Sequence, residues 1–273
     1  MNSQFSAFWG ATRYEFVMQA RRPSLWITFA VFTALLLLLI NQGTSALNVV
    51  IPALLKQESL HQVFASWALY VNTFLPICLG VLLAGRLPRD ARTKVDELLL
   101  AAPATQRARL FGKCLGATAA TLIPMLLVYA GGIVYILSFA HSPANVLLAV
   151  PQALLAFAVI ALPGVLFVGA FSIACPAVIW SPLYQFLFVG YWYWGTLWFH
   201  ADIPNLSRTL LSPIGLFSAM GIYGLNESSG GNHPIHITGS PLQGVASIAL
   251  LLALAVGVIF ALDGYLRWRQ VSR

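Results

Sequence analysis

Charge is what this chain has least of. Of its 273 residues only 8% are Asp, Glu, Lys or Arg, against roughly 25% in soluble domains, while 59% are hydrophobic. A soluble fold of this length has too little interior to hide that much apolar surface. Carboxylates are missing from the centres of the long apolar runs, which argues against a proton-driven transporter, whose intramembrane acids form the relay. A phosphate-cradling G-x-x-x-x-G-K-[ST] loop is also missing, because Gly112-Lys113 is followed by Cys114. Cysteine is scarce: Cys78, Cys114 and Cys175 fall in or beside apolar runs, lack metal-ligand spacing and read as small buried apolar residues. No cleavable signal peptide is expected, since about twenty residues, several of them polar, precede the first apolar run.

What is present is a strongly ordered distribution of the few charges. Thirteen of the fifteen basic residues gather in three places: Arg13, Arg21 and Arg22; Arg86, Arg89, Arg92, Lys94, Arg107, Arg109 and Lys113; and Arg267, Arg269 and Arg273. Only Lys56 and Arg208 lie elsewhere. A net charge of +7 could suit a nucleic-acid binder, but charge segregated between apolar runs is the positive-inside pattern of a polytopic membrane protein. No nucleic-acid partner is expected; the bilayer and its anionic lipids are.

Six spans are predicted, at about 24–40, 63–85, 110–139, 146–171, a fifth ending near His200, and 241–262. Both termini and the 86–113 loop then lie in the cytoplasm, and 41–62 and 202–240 outside, in a cytoplasmic (inner) membrane. Ahead of the first span, Phe5, Phe8, Trp9, Thr12, Phe16 and Ala20 recur at helical spacing, predicting an interfacial amphipathic helix within 1–23. The stretch 206–225 is apolar enough for a span, yet a seventh crossing would put the basic C-terminal tail outside. Ser207, Ser212, Pro213, Gly215, Gly221 and Gly224 suit broken helix instead. It is read as a re-entrant or interfacial hairpin within the outer segment 201–240, with Leu211 and Phe217 as candidate outer-gate residues. The fold class is therefore an all-α integral membrane protein forming one domain, 1–273.

In the cytoplasmic loop, Thr93 can cap a short helix whose positive end suits Asp96 and Glu97; Leu98, Leu99 and Leu100 give it an apolar side and Pro103 ends it. Here the chain resembles the permease subunits of type-2 ATP-binding-cassette exporters. The resemblance rests on Asp96-Glu97-Leu98-Leu99, Ala102-Pro103 and Leu110-Phe111-Gly112-Lys113, on Arg13-Tyr14-Glu15-Phe16 in an interfacial N-terminal helix, and on six spans with an outer hairpin before the last. It implies a coupling helix that docks on a separate ATPase, with Arg92, Lys94, Asp96, Glu97 and Leu98 as the coupling residues. It also implies ATP and Mg on that partner, no cofactor on this chain, and a second permease chain, identical or related. The alternatives are a membrane-embedded enzyme, for which no converging catalytic side chains are visible, and a membrane scaffold uncoupled from any ATPase.

Inside the spans, Asn72 and Thr73 are polar where polarity is costly, with helix packing the first use to consider and the substrate path the second. Tyr184, Gln185 and Trp192 join them as candidate path residues; the aromatic crowd from Phe186 to Phe199 fits an interfacial belt towards its outer end. Gly112-x-x-x-Gly116 suits close helix packing. His200, Asp202, His233 and His236 cluster on the outer side without a standard metal spacing, so no metal site is assigned.

The charge asymmetry generates a direct prediction. In a background free of native cysteines, Ser272→Cys is expected to react with an impermeant thiol reagent only after the inner face is opened. Reaction at Ser272→Cys in sealed cells would rule out the six-span arrangement.

Overall fold

The computed structural model describes residues 2–42, 59–92, 105–139, 143–197, 205–225 and 239–271. Among these residues the chain is helical throughout, with no strand. Four helical stretches are long and apolar enough to cross a membrane: Leu60–Arg89, Gln106–Leu137, Ala149–Ala177 and Pro241–Arg269. A fifth is reached if Phe5–Ala20 and Pro23–Leu38, which meet at 60°, count as one broken span. This is the architecture of a multi-pass membrane protein. Backbone groups in hydrocarbon have no water to bond, so helices satisfy them internally.

In chain order, α1 (Asn2–Ala20) turns through Arg21 and Arg22 into α2 (Pro23–Gln42). Next come α3 (Leu60–Phe74), α4 (Pro76–Leu83) and α5 (Arg86–Arg92), then α6 (Gln106–Leu137). Helix α7 (Pro143–Ala156) passes through a π turn, Phe157–Ala161, into α8 (Leu162–Ala174). Helix α9 (Ser181–Trp192) ends in a second π turn, Tyr193–Leu197; α10 (Leu216–Tyr223) is short, and α11 (Pro241–Val271) is the last.

The helices run past the boundaries expected from sequence. Arg86–Arg92 is helical, as is the chain from Gln106. The last helix continues beyond Leu262 to Val271. Charged residues end a hydropathy window, but they do not end a helix, since Arg and Lys are good helix formers. The fifth expected span is described only to Leu197, which leaves its end near His200 outside the described residues.

Prolines punctuate the spans. Pro76 opens α4 after a break at Leu75, Pro163 lies in the first turn of α8 behind the π turn, and Pro124 and Pro151 sit inside α6 and α7. Each removes one backbone donor, so a neighbouring carbonyl is left to find a partner elsewhere. Side-chain donors also reach backbone carbonyls between helices: Trp67 Nε1 donates to the Tyr129 carbonyl at 3.0 Å, and the Tyr129 hydroxyl donates to the Ala153 carbonyl at 2.9 Å. The two bonds tie α3, α6 and α7 together.

The broadest helix pairing joins α1 to α6. Phe8, Ala11, Thr12 and Glu15 of α1 lie over Gly112 and Gly116, where a Cβ at Gly116 would collide with the Thr12 carbonyl. The two small residues let the backbones approach. The face of α1 turned to the bundle is thus small and polar, with Glu15 and Gln19 buried. Phe5 and Trp9, expected on one apolar face with Phe8 and Thr12, stay exposed, as rings that meet lipid headgroups would be.

Gly116→Leu is therefore expected to destabilise the detergent-solubilised protein by about 1–3 kcal/mol in unfolding experiments, because overpacking displaces α1. Gly131→Leu on the same helix, where an added Cβ meets nothing within 4 Å, is the matched control and is expected to be near neutral. Equal effects would show that the close approach of α1 and α6 is not a constraint.

Candidate functional site

The expected path residues come together along one helix pair. Ser181 Oγ donates to the Ala84 carbonyl at 2.7 Å, Gln185 Nε2 to the Val81 carbonyl at 2.9 Å, and Trp192 Nε1 to the Thr73 carbonyl at 2.8 Å. As one residue number rises the other falls, so α9 runs antiparallel to α3 and α4. Trp192 is fully buried, and Tyr184 shares a 2.9 Å hydrogen bond with Ser172 of α8. Thr73 turns its hydroxyl back to the Leu69 carbonyl at 2.8 Å. Asn72, Thr73, Tyr184, Gln185 and Trp192 are all bonded across or along helices.

Asn72 has the widest reach. It is fully buried, and its Nδ2 donates to the Ile160 carbonyl at 3.2 Å and to the Pro213 carbonyl at 3.0 Å. Ile160 lies in the π turn, and Pro213 lies in the 205–225 segment. Close approach is possible because a Cβ at Gly164 would overlap the Pro213 carbonyl, and Gly215, beside Ile160, sits at φ +80°, a left-handed conformation that glycine adopts freely. Three chain segments therefore meet at one amide.

That contact sets the depth of the 205–225 segment. Asn72 is about 20 Å along the helix from Ser59 at a rise of 1.5 Å per residue. The Gly224 carbonyl accepts from Gln62 at the head of the same helix, at 3.4 Å. Ser207 Oγ donates to the Gly195 carbonyl at 2.6 Å, and Ser247 Oγ donates to the Leu210 carbonyl at 2.8 Å. The segment thus starts beside the end of α9, passes Asn72 at Pro213, and returns along α3 through α10 to Gln62. Ile214, Phe217, Ala219, Met220 and Tyr223 are buried against the spans, and Leu211 is half-buried.

A charged site lies at the opposite end, and sequence reasoning missed it. Arg86 Nη2 donates to Glu15 Oε2 at 2.7 Å, and Lys113 Nζ lies 3.6 Å from Glu15 Oε1. All three side chains are buried. Arg22 and Arg89 stand close enough to act on the same groups. Burial, with Arg86 and Arg89 nearby, lowers the Arg22 guanidinium from its usual value, and Glu15 partly offsets this. The available signal was Glu15 itself, a lone carboxylate in an otherwise basic N-terminal segment. A second charged contact holds α6 to α11: Arg107 Nε donates to Asp263 Oδ2 at 2.7 Å, and Arg267 reaches the same carboxylate from one turn away at 3.2 Å.

The residues expected to couple, Lys94, Asp96, Glu97 and Leu98, lie outside the described residues, as does the side chain of Arg92 at the end of α5. His200, Asp202, His233 and His236 also lie outside them. Among the described residues no group of three His, Cys, Asp or Glu side chains could hold a metal. No protein-family model matches this chain, and no curated protein matches it.

The geometry at Glu15 generates a stability prediction. Glu15→Gln leaves the buried Arg86 and Lys113 without their carboxylate, which is expected to cost about 3 kcal/mol. Because Arg86→Met removes the buried guanidinium that Glu15→Gln deprives of its carboxylate, Glu15→Gln/Arg86→Met is expected to recover much of that loss. Denaturant unfolding of the single and double variants checks this; additive losses would show that the pair is not coupled.

Proposed function

We propose that this chain is the membrane permease subunit of an ATP-driven exporter of the type-2 ATP-binding-cassette kind. Two such chains, identical or related, enclose a path, and a separate ATPase supplies the energy. The substrate leaves the cytoplasm by that path; the aromatic lining near α9 suits an amphipathic one. On this reading the chain has six spans in a cytoplasmic membrane, with both termini inside. The interfacial helix is α1, and the 205–225 segment is a re-entrant cap over the outer end.

The observation that carries the reading is the 205–225 segment. It is apolar, enters to the depth of Asn72 and returns to Gln62 on the side it came from. Such broken backbone is tolerated at membrane depth where protein covers it, and it is a familiar element of transport proteins. The loop motif from Asp96 to Lys113 adds the second support, since a short acidic and leucine-rich helix between two spans gives a soluble ATPase something to push. The inner ion pairs lie close to both ends of that loop: Arg86 precedes it and Arg107 follows it. Displacing the loop would therefore act directly on α1 through Glu15 and on α11 through Asp263. ATP binding then shifts the spans between inward- and outward-facing states by favouring one arrangement of these contacts.

Charge reversal of Asp96 and Glu97 together is expected to weaken ATPase association by roughly a hundredfold, as like charges at a docked contact cost several kcal/mol. Helix content and membrane insertion of the permease should not change. Co-purification of the ATPase and substrate-stimulated ATP turnover are the measurements. Unchanged values for both would remove the loop from the coupling role.

A further inference from the structure

The turn that joins α8 to α9 points apolar side chains outward. Val178 is 66% exposed and Trp180 67%, and Ile179 between them is exposed as well. The turn is fixed by hydrogen bonds on both sides. The Cys175 carbonyl accepts from the Val178 amide at 3.0 Å and the Ile179 amide at 2.9 Å, and Ser181 Oγ donates to the Ala84 carbonyl at 2.7 Å. Pro176 is buried beneath it. No Asp, Glu, Lys or Arg occurs between Lys113 and Asp202, so the turn carries no charge to draw it into water.

The bonds of α9 to its neighbours give this turn a depth. From Val63 to Gly85 the chain carries no charge, and the centre of that run is Phe74. From Phe74 to Ala84 the helix rises about 15 Å at 1.5 Å per residue. Half the thickness of a bilayer's hydrocarbon core is also about 15 Å. Ser181, bonded to Ala84, therefore stands at the edge of the hydrocarbon, and Val178, Ile179 and Trp180 precede it at the level of the headgroups. The bonds from Gln185 to Val81 and from Trp192 to Thr73 keep the same antiparallel rise, so α9 holds this level along its length. In the other direction Leu183, Phe186 and Leu187 are exposed on α9. The apolar surface of the turn thus runs on without a break into the side of the helix that enters the hydrocarbon.

We propose that the α8–α9 turn is a membrane anchor, with Val178, Ile179 and Trp180 seated among the lipid headgroups of the leaflet at the Arg86 end of the bundle. An indole suits that layer, since its ring is apolar and its N–H can stay wet. The partner is the lipid surface itself, because the exposed face is apolar, uncharged and continuous with the flank of a span. Seated there, the turn holds α8 and α9 at a fixed height. It also withholds these three residues from any soluble protein that docks at that end. The proposal rests on the chain crossing a membrane and not on the exporter reading.

The test uses the full chain in a cysteine-free background, in phosphatidylcholine vesicles, with bimane attached at Val178→Cys or at Phe186→Cys. Lipid spin-labelled near the headgroup is expected to quench bimane at Val178→Cys more than lipid labelled near the chain end, and aqueous iodide is expected to quench it weakly. At Phe186→Cys, deeper along α9, the order of the two lipids should reverse. Adding Trp180→Glu should move the quenching at Val178→Cys from lipid to iodide. It should leave Phe186→Cys unchanged, which reports that the helices remain folded. Iodide quenching at Val178→Cys as strong as that of a bimane–glutathione adduct in solution would place the turn in water and overturn the proposal. Protection from iodide and from both lipids would overturn it too, by marking a contact with a second protein chain. Unchanged lipid quenching in Trp180→Glu would remove Trp180 from the anchor.

Discussion

The amide of Asn72 is the contact on which the rest of this structure depends. A membrane interior has no water to bond a stray carbonyl, so any break in a helix must be met by protein. Two breaks face each other here: the π turn that precedes Pro163, and the Ser212–Gly215 bend in the apolar segment before the last helix. Asn72 donates to one carbonyl from each. Without that side chain, both would lose a donor at about the middle of a 30-residue span. The small residues around it, Gly164 and Gly215, follow from the same requirement, because only an absent Cβ lets the two carbonyls reach one amide.

The end of the bundle that holds Glu15 and Asp263 is organised by charge in place of backbone repair. Glu15 joins α1 to the ends of two spans through Arg86 and Lys113, and Asp263 joins α6 to α11 through Arg107. Both carboxylates are buried while their partners range from buried to half-exposed. Ion pairs of this kind add little net stability against apolar replacements, but they are costly to break singly. They therefore specify which helices meet. At the opposite end, apolar α10 residues and hydroxyl bonds to carbonyls join the helices.

Much of the helical layout was legible from sequence, because long apolar runs with segregated charge leave few other solutions. Asn72 and Thr73 stood out as polar residues in a span, and Gly112-x-x-x-Gly116 as a site of close approach. What sequence could not show was the partners. The carbonyls of Ile160 and Pro213 carry no side-chain signature, so nothing in the chain marks them as Asn72's acceptors. Glu15 was read as part of a motif and Asp263 as the end of a span, since pairing with Arg86 or Arg107 depends on how α1 and α11 cross α6. The N-terminal helix was expected to lie in the interface on one apolar face; of that face Phe5 and Trp9 are exposed, whereas Phe8 and Thr12 lie over Gly112 and Gly116. The expected spans do not mark helix ends, because hydropathy stops at the first Arg while the backbone stays helical to Arg92 and Val271.

The central claim is that the 205–225 segment dips to the level of Asn72 and returns, capping the spans without crossing. Thiol accessibility along it tests this most directly. In a cysteine-free background, Leu225→Cys is expected to react with an impermeant reagent from the outer side, while Phe217→Cys is protected and becomes reactive when Asn72→Leu loosens the bend. Free reaction at Phe217→Cys in the otherwise unaltered chain, or reaction of Leu225→Cys only from the inner side, would contradict the account.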